Sequence, residues 1–340
     1  MATENTARAF WVRAPGEGEL REAALPALGR DEVRVRTRFS AVSRGTETLV
    51  FRGEVPESLH AEMRAPFQEG AFPAPVKYGY INVGTVEAVG ADADPALLGR
   101  NVFCLYPHQD AYQVPAKSVR VLPDALPAGR AVLAANLETA VNGVWDAEVS
   151  LGDRVLVVGA GVVGLLAAWL CARMPGTEVI VVDPNEARAS QAQQLGAVWH
   201  PDVSAASAGS ASAGRPFDVA IHASGNPAGL AAALPALGDE ATLVELSWYG
   251  TRSVQLALGE HFHPRRLRLI SSQVGQLPPS KRPRWSYDRR FETVARLLED
   301  AALDALITDG SPFERLPQVM AELATPGAAL HTLCHRITYP

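Results

Sequence analysis

Two hydropathy rhythms run along this chain. In its first third, short runs alternate apolar and polar residues: 32–39 sets Val33 and Val35 between charged neighbours, and 82–89, 101–106 and 111–114 are runs of similar kind. A period of two predicts half-buried strands, and the Gly and Pro turns between them predict an antiparallel, barrel-like domain. From about residue 130 the rhythm changes to continuous apolar runs separated by helical stretches. The runs 155–158, 179–182, 217–222, 242–247 and 267–272 have the character of strands buried on both faces, as in a parallel sheet covered by helices. Residues 204–214 are almost wholly Ser, Ala and Gly, which predicts a flexible surface loop. After residue 274 the chain turns basic, then helical, and ends in a short strand around 330–337. No internal repeat is present.

The first of the buried runs leads into Gly159-Ala160-Gly161-Val162-Val163-Gly164, and the second ends in Asp183, nineteen residues past Gly164. Strand, glycine turn, helix, strand and acid stand in the register of a dinucleotide-binding βαβ unit. Gly159 makes the tight turn, Gly161 admits a pyrophosphate to the backbone, and Gly164 packs helix on strand. The helix N-terminus, opening with Val162 and Val163, supplies N–H groups to the phosphates. Asp183 is positioned to accept from a ribose 2′-OH and to repel a 2′-phosphate, which favours NAD, with NADP possible. Capping of the next helix is its plainer reading. Arg188, five residues on, is a candidate to stack on adenine. Residues 155–172 carry no charge and are long enough for a membrane span, but the early glycines, the β-branched first half and Pro175-Gly176 argue against one.

A length of 340 residues suggests two domains. The net charge of −6 gives no global signal for nucleic acid or an anionic membrane surface. Residues 1–8 lack the apolar core of a signal peptide, and Cys104, Cys171 and Cys334 are too far apart to suggest a disulfide framework. A cytoplasmic protein is expected.

The order of parts, with GYINVGTVEAVG at 79–90, LGRNV at 98–102, the nucleotide motif and LDALITDGSPFERL at 303–316, resembles the medium-chain dehydrogenase/reductase superfamily over nearly the whole chain. The resemblance implies an α/β fold. A Rossmann doubly wound parallel sheet at 136–273 would interrupt a discontinuous, mainly β, GroES-like catalytic domain built from 1–135 and 274–340, with the active site in the cleft. By position it adds Arg44 and His331 at the pyrophosphate, Thr139 near the nicotinamide, Ala223 and Ser224 along the adenosine ribose, and Leu246 and Ser247 near the carboxamide. His222 is read as a strand residue before it is read as a base. A homodimer joined through the 267–272 edge strand is expected, with a small-molecule substrate.

Zinc members of the superfamily place a cysteine where this chain has Ser43, a Gly-His-Glu where it has Gly79-Tyr80-Ile81, and a third ligand where it has Ala134-Ala135-Asn136-Leu137-Glu138. The four close cysteines of a structural zinc lobe are also missing after Phe103. No zinc is expected, and His60, Cys104, His108 and Glu47 show no ligand spacing. Hydrogen-bond donors must then serve the reacting oxygen. Tyr80, in the zinc-histidine position, is the candidate donor, with Thr46 as relay and Ser43 as a further donor; simple filling of the vacated space is the alternative for Tyr80. Glu47 is expected in a structural ion pair, usually with an arginine.

Ser43-Arg44-Gly45-Thr46-Glu47 is also similar to a zinc-lacking branch that includes the bacteriochlorophyllide dehydrogenase, although Ile81 stands where that branch has Glu. The segment 281–290 mixes bases with aromatics and reads as a solvated helix start, a nucleic-acid patch, or an anion clamp with Arg52, Arg64 or Lys77. The expected activity is a zinc-independent, NAD(H)-preferring interconversion of a secondary alcohol and a carbonyl. An NADPH-dependent quinone or enoyl reductase and a non-catalytic nucleotide-binding protein are the alternatives.

Overall fold

The computed structural model describes residues 6–209, 214–325, 327–328 and 330–340. The chain divides into two compact units, one comprising the chain up to Ala135 together with Ala295–Pro340, the other Asn136–Val294. In the first unit, β1 (Thr6–Ala14) pairs antiparallel with β2 (Glu17–Ala24), and β3 (Glu32–Val42) begins the main sheet. Its alternation works as the sequence predicts: Val33 and Val35 are fully buried while Arg36 is exposed. The strand continues to Val42 and turns at Ser43 into α1 (Arg44–Phe51). Antiparallel partners of β3 are β4 (Asn82–Val89) and β6 (Ala111–Pro115), and β4 pairs with β5 (Asn101–Cys104). Val33, Val35, Val86, Val102, Tyr112 and Val114 share one core between these strands.

The second unit opens with α2 (Ala134–Asp146) and is built on β7 (Arg154–Val158), α3 (Val162–Ala172), β8 (Glu178–Val182) and β9 (Val198–His200). It continues through α4 (Val203–Gly209), β10 (Phe217–His222), α5 (Pro227–Ala233), β11 (Leu237–Glu245) and β12 (Arg268–Ser271). Among the described residues the sheet is parallel, in the order β9-β8-β7-β10-β11-β12. That is the doubly wound arrangement, with its crevice at the carboxyl ends of the central strands. All five residues of β7 are buried, and burial of 155–158 on both faces is why that run reads as continuously apolar. The uncharged stretch splits at Gly159–Gly161 into strand and helix, and no described helix is long and apolar enough to cross a membrane.

Two expectations need correction here. Residues 204–209 belong to α4, because the Asp202 carboxylate accepts from the Ala205 N–H at 2.8 Å and Ala206 is buried; residues 210–213 lie outside the described set. The expected strand at 242–247 begins at Leu237 and ends at Glu245, so Leu246 and Ser247 lie beyond the strand end.

Segment 274–294 goes with the second unit, not with the C-terminal return. Arg290, on α6 (Tyr287–Leu297), makes a buried pair with Glu138 at 3.0 Å and bonds Asn142 at 3.0 Å, both on α2. The return then supplies β13 (Ile307–Pro312), α7 (Leu316–Ala324) and β14 (Cys334–Thr338). β14 pairs antiparallel with the end of β3, so the chain terminus closes over Phe39–Val42, next to Ser43.

Candidate active site

Within the first unit, the β3–α1 turn and the segment before β4 bring Ser43, Thr46 and Tyr80 together. The half-buried Tyr80 phenol donates to Ser43 Oγ at 2.6 Å. Burial pushes the phenol up to about 12, with the Glu47 charge adding to the rise; hydrogen bonds with Ser43 and Thr46 oppose it. Tyr80 is thus a neutral O–H donor across the ordinary pH range. Gly79 has φ +135°, and a Cβ there would lie 3.0 Å from the His108 ring, so only glycine lets this segment approach.

Behind the hydroxyl pair is a chain of buried polar groups that spacing did not reveal. Glu47 Oε1 accepts from the Ser43 main-chain N–H at 2.9 Å, and Glu47 Oε2 meets His108 Nε2 at 2.8 Å. The other nitrogen of His108 meets Ser40 Oγ at 2.7 Å, and Ser40 meets the Tyr339 hydroxyl at 2.9 Å. Glu47 and His108 are 3% and 1% exposed. Glu47 is therefore in a structural pair, but its partner is His108 and not an arginine. Glu47 and His108 are 61 residues apart, on segments with no shared motif, so no linear signal joins them.

In the second unit the glycine turn has the close approaches its sequence implies. A Cβ on Gly164 would lie 1.9 Å from the Gly159 carbonyl, and one on Gly159 would lie 2.7 Å from Ser224 Cα, whereas one on Gly161 meets nothing within 4 Å. The turn is closed where helix must meet strand and open where a phosphate would approach. Val162 and Val163 begin α3, where N–H groups have no intrahelical acceptor. Asp183 ties this turn to the end of β8: Oδ2 accepts from Ala160 N at 2.8 Å and Oδ1 from Asn185 N at 2.9 Å. A carboxylate has about four acceptor positions, so two remain for a diol. Arg188 is buried in the turn after Asn185. Ala223, Ser224, Leu246 and Ser247 follow the ends of β10 and β11, and Gly143, one helical turn beyond Thr139, faces the Leu246 side chain.

Arg44 and His331, from opposite ends of the chain, lie close together in the first unit: Arg44 Nη1 donates to the Thr332 carbonyl at 2.7 Å. The cations considered for an anion clamp are engaged elsewhere. Arg52 bonds Glu54 and the Ala324 carbonyl, Arg64 bonds the Gln68 and Gly70 carbonyls, and Lys77 is buried against Glu69 and Gln109. In the 281–290 segment, Trp285 packs on Trp145 at 4.6 Å with Arg289 over its ring at 4.1 Å, so its aromatics and part of its charge serve internal packing.

The residues at the superfamily's catalytic metal position do not fit zinc. Ser43 and Tyr80 offer two neutral hydroxyls bonded to each other, where zinc takes thiolate, imidazole or carboxylate. Among the described residues no group of three His, Cys, Asp or Glu side chains is arranged to hold a metal ion. The glycine turn and Asp183, by contrast, fit a dinucleotide.

Comparison with known proteins supports a dehydrogenase. The sequence model of the zinc-binding dehydrogenase family matches residues 162–297. D-guloside 3-dehydrogenase of Escherichia coli K12 is 29% identical over 308 residues, spanning 86% of this chain and 88% of that one. A short chain alcohol dehydrogenase from E. coli CFT073, in complex with NADH, superposes with a TM-score of 0.77 at 18% identity, covering 98% of this chain and 99% of its own. A Sinorhizobium meliloti 1021 structure described as a zinc-binding dehydrogenase bound to NADP gives 0.79 at 19% identity, covering 98% and 100%.

Proposed function

We propose that this chain, which belongs to the medium-chain dehydrogenase/reductase superfamily, interconverts a secondary alcohol and a carbonyl with NAD(H) as preferred coenzyme and without zinc. The observation that carries the reading is the Tyr80–Ser43 hydroxyl pair, at positions that the resemblance assigns to metal ligands in zinc members. The coenzyme, which Gly159–Gly164 and Asp183 would hold, would supply the hydride acceptor or donor. The protein must supply the proton. When a carbonyl oxygen gains charge, the phenol, a stronger acid than an alkyl hydroxyl, gives up its proton directly or refills Ser43 as that hydroxyl gives up its own. Thr46 holds the phenol oxygen in place, and Glu47 with His108 anchors the Ser43 main chain. Asp183 supports NAD over NADP through its two remaining acceptor positions.

Two copies are taken to pair through β12, the exposed edge of the parallel sheet.

Tyr80→Phe keeps the ring and removes only the O–H. Turnover of a secondary alcohol should drop by about tenfold or more, in keeping with the loss of one general acid, while NADH affinity and melting temperature barely change. Full turnover with lowered stability would make the phenol a packing group and end this reading of the proton donor.

A further inference from the structure

We propose that His222 is a positioning residue for the coenzyme: held by Glu245, it fixes the Ser224 hydroxyl as a hydrogen-bond acceptor facing a ribose hydroxyl of the bound nucleotide. This rests on the nicotinamide coenzyme reading given above.

His222 is fully buried at the end of β10, and both ring nitrogens are engaged. Nδ1 lies 2.9 and 2.8 Å from the two Glu245 oxygens, and Nε2 lies 2.7 Å from Ser224 Oγ. The same carboxylate accepts from the Tyr249 hydroxyl at 2.8 Å and from the Ser247 N–H at 2.6 Å. Burial alone would raise the Glu245 carboxyl, but its hydrogen bonds with His222 and Ser247 bring it below its ordinary value. Glu245 is thus an ionised group that can only accept, so Nδ1 carries the imidazole proton. In the Nδ1-protonated tautomer that this contact selects, Nε2 is an acceptor and the Ser224 O–H points at it.

The consequence falls on the Ser224 oxygen. It also receives the Asn226 N–H at 3.1 Å, which leaves one lone pair, on a residue that is exposed. Gly159, the first glycine of the nucleotide turn, packs directly on the Ser224 main chain. Space for the relay comes from Gly229 on α5, where a Cβ would lie 3.1 Å from Ser224 Oγ and 3.3 Å from His222 Nε2. An acceptor fixed beside the nucleotide turn suits a sugar hydroxyl.

A Ser–His–Glu chain with these distances also has the form of an activated nucleophile. The surrounding main chain argues against that use. The Asn226 N–H is taken by Ser224 itself and the Gly225 N–H by Ser247 Oγ at 3.0 Å, so neither is free to hold an oxyanion. The chain sets polarity and does not launch an attack.

A double-mutant cycle on NADH binding tests the proposal, using fluorescence titration of the full chain. Glu245→Gln removes the charge that holds the proton on Nδ1 and opens the Nε2-protonated tautomer, in which Nε2 donates to Ser224 and turns its O–H outward. Glu245→Gln and Ser224→Ala should each weaken NADH by about tenfold, and the double variant should be no weaker than either single one. Nitrogen-15 spectra of the histidines should show the Nδ1-protonated tautomer at His222 in the parent and the Nε2-protonated tautomer in Glu245→Gln. Additive losses, or unchanged binding in Ser224→Ala, would overturn the proposal while leaving the coenzyme reading intact. A parent protein that binds neither NADH nor NADPH would overturn both. Should Glu245→Gln prove unstable, Ser224→Ala and the His222 tautomer of the parent decide together: unchanged NADH binding, or an Nε2-protonated His222 in the parent, overturns the proposal.

Discussion

A carboxylate that accepts two main-chain N–H groups, as Asp183 does from Ala160 and Asn185, cannot be removed without two effects. Asp183→Ala should cost about 1–3 kcal/mol of stability by leaving those donors unpaired. Loss of stability alone would weaken both nucleotides alike. If Asp183 also meets the ribose, NAD should weaken by about tenfold or more while NADP tightens, so the ratio of the two dissociation constants decides the matter. Tyr80 makes a prediction in pH. Its phenol is pushed up to about 12, so in the carbonyl-reducing direction kcat should show no fall due to this group up to about pH 10, and should decline only above that. A titration of kcat near neutrality that Tyr80→Phe abolishes would contradict this. At this scale the glycine turn was legible where Gly159 and Gly164 answer local steric demands. The relay partners were not. Glu47 finds His108 across 61 residues, and His222 finds Glu245 through the pairing of neighbouring strands, and burial of a histidine leaves no mark in the sequence around it.

Among elements, periodicity located most strands within a few residues, because one buried face or two dictates alternation or a continuous run. It failed where a polar cap outweighed composition, as at Asp202, whose side chain starts a helix in a Ser/Ala/Gly stretch. The edge strand β12 was legible too, and it carries a testable consequence. Leu269 is 38% exposed on that edge, and an uncovered strand edge with apolar residues favours pairing with a second copy. Light scattering at micromolar concentration should give a homodimer, and Leu269→Lys should shift it toward monomer with little change in the melting temperature of the isolated chain. A parent monomer, or a dimer indifferent to the charge, would place the contact elsewhere or remove it.

The molecule as a whole stores an alkaline liability. Burial pushes the thiols of Cys104, Cys171 and Cys334 up to about 12, and it raises Tyr78, Tyr80, Tyr106, Tyr112, Tyr249 and Tyr339 as well. In the unfolded chain a thiol ionises near about 8.5 and a phenol near about 10. Above those values the unfolded state sheds protons that the folded state retains, so it binds fewer protons and stability falls as pH rises. The contribution is therefore fully present below about pH 8.5 and is lost progressively toward pH 12 and beyond. Denaturant midpoints should hold level up to about pH 8.5 and then decline, with a second steepening near about pH 10 as the tyrosines join. The same burial protects the thiols. At pH 8 a thiol reagent should label the three cysteines slowly and together, at the rate at which the fold opens, and at once in denaturant. Rapid labelling of one cysteine in the native protein, or a midpoint that stays flat to pH 11, would show that these groups are not held in the dry interior.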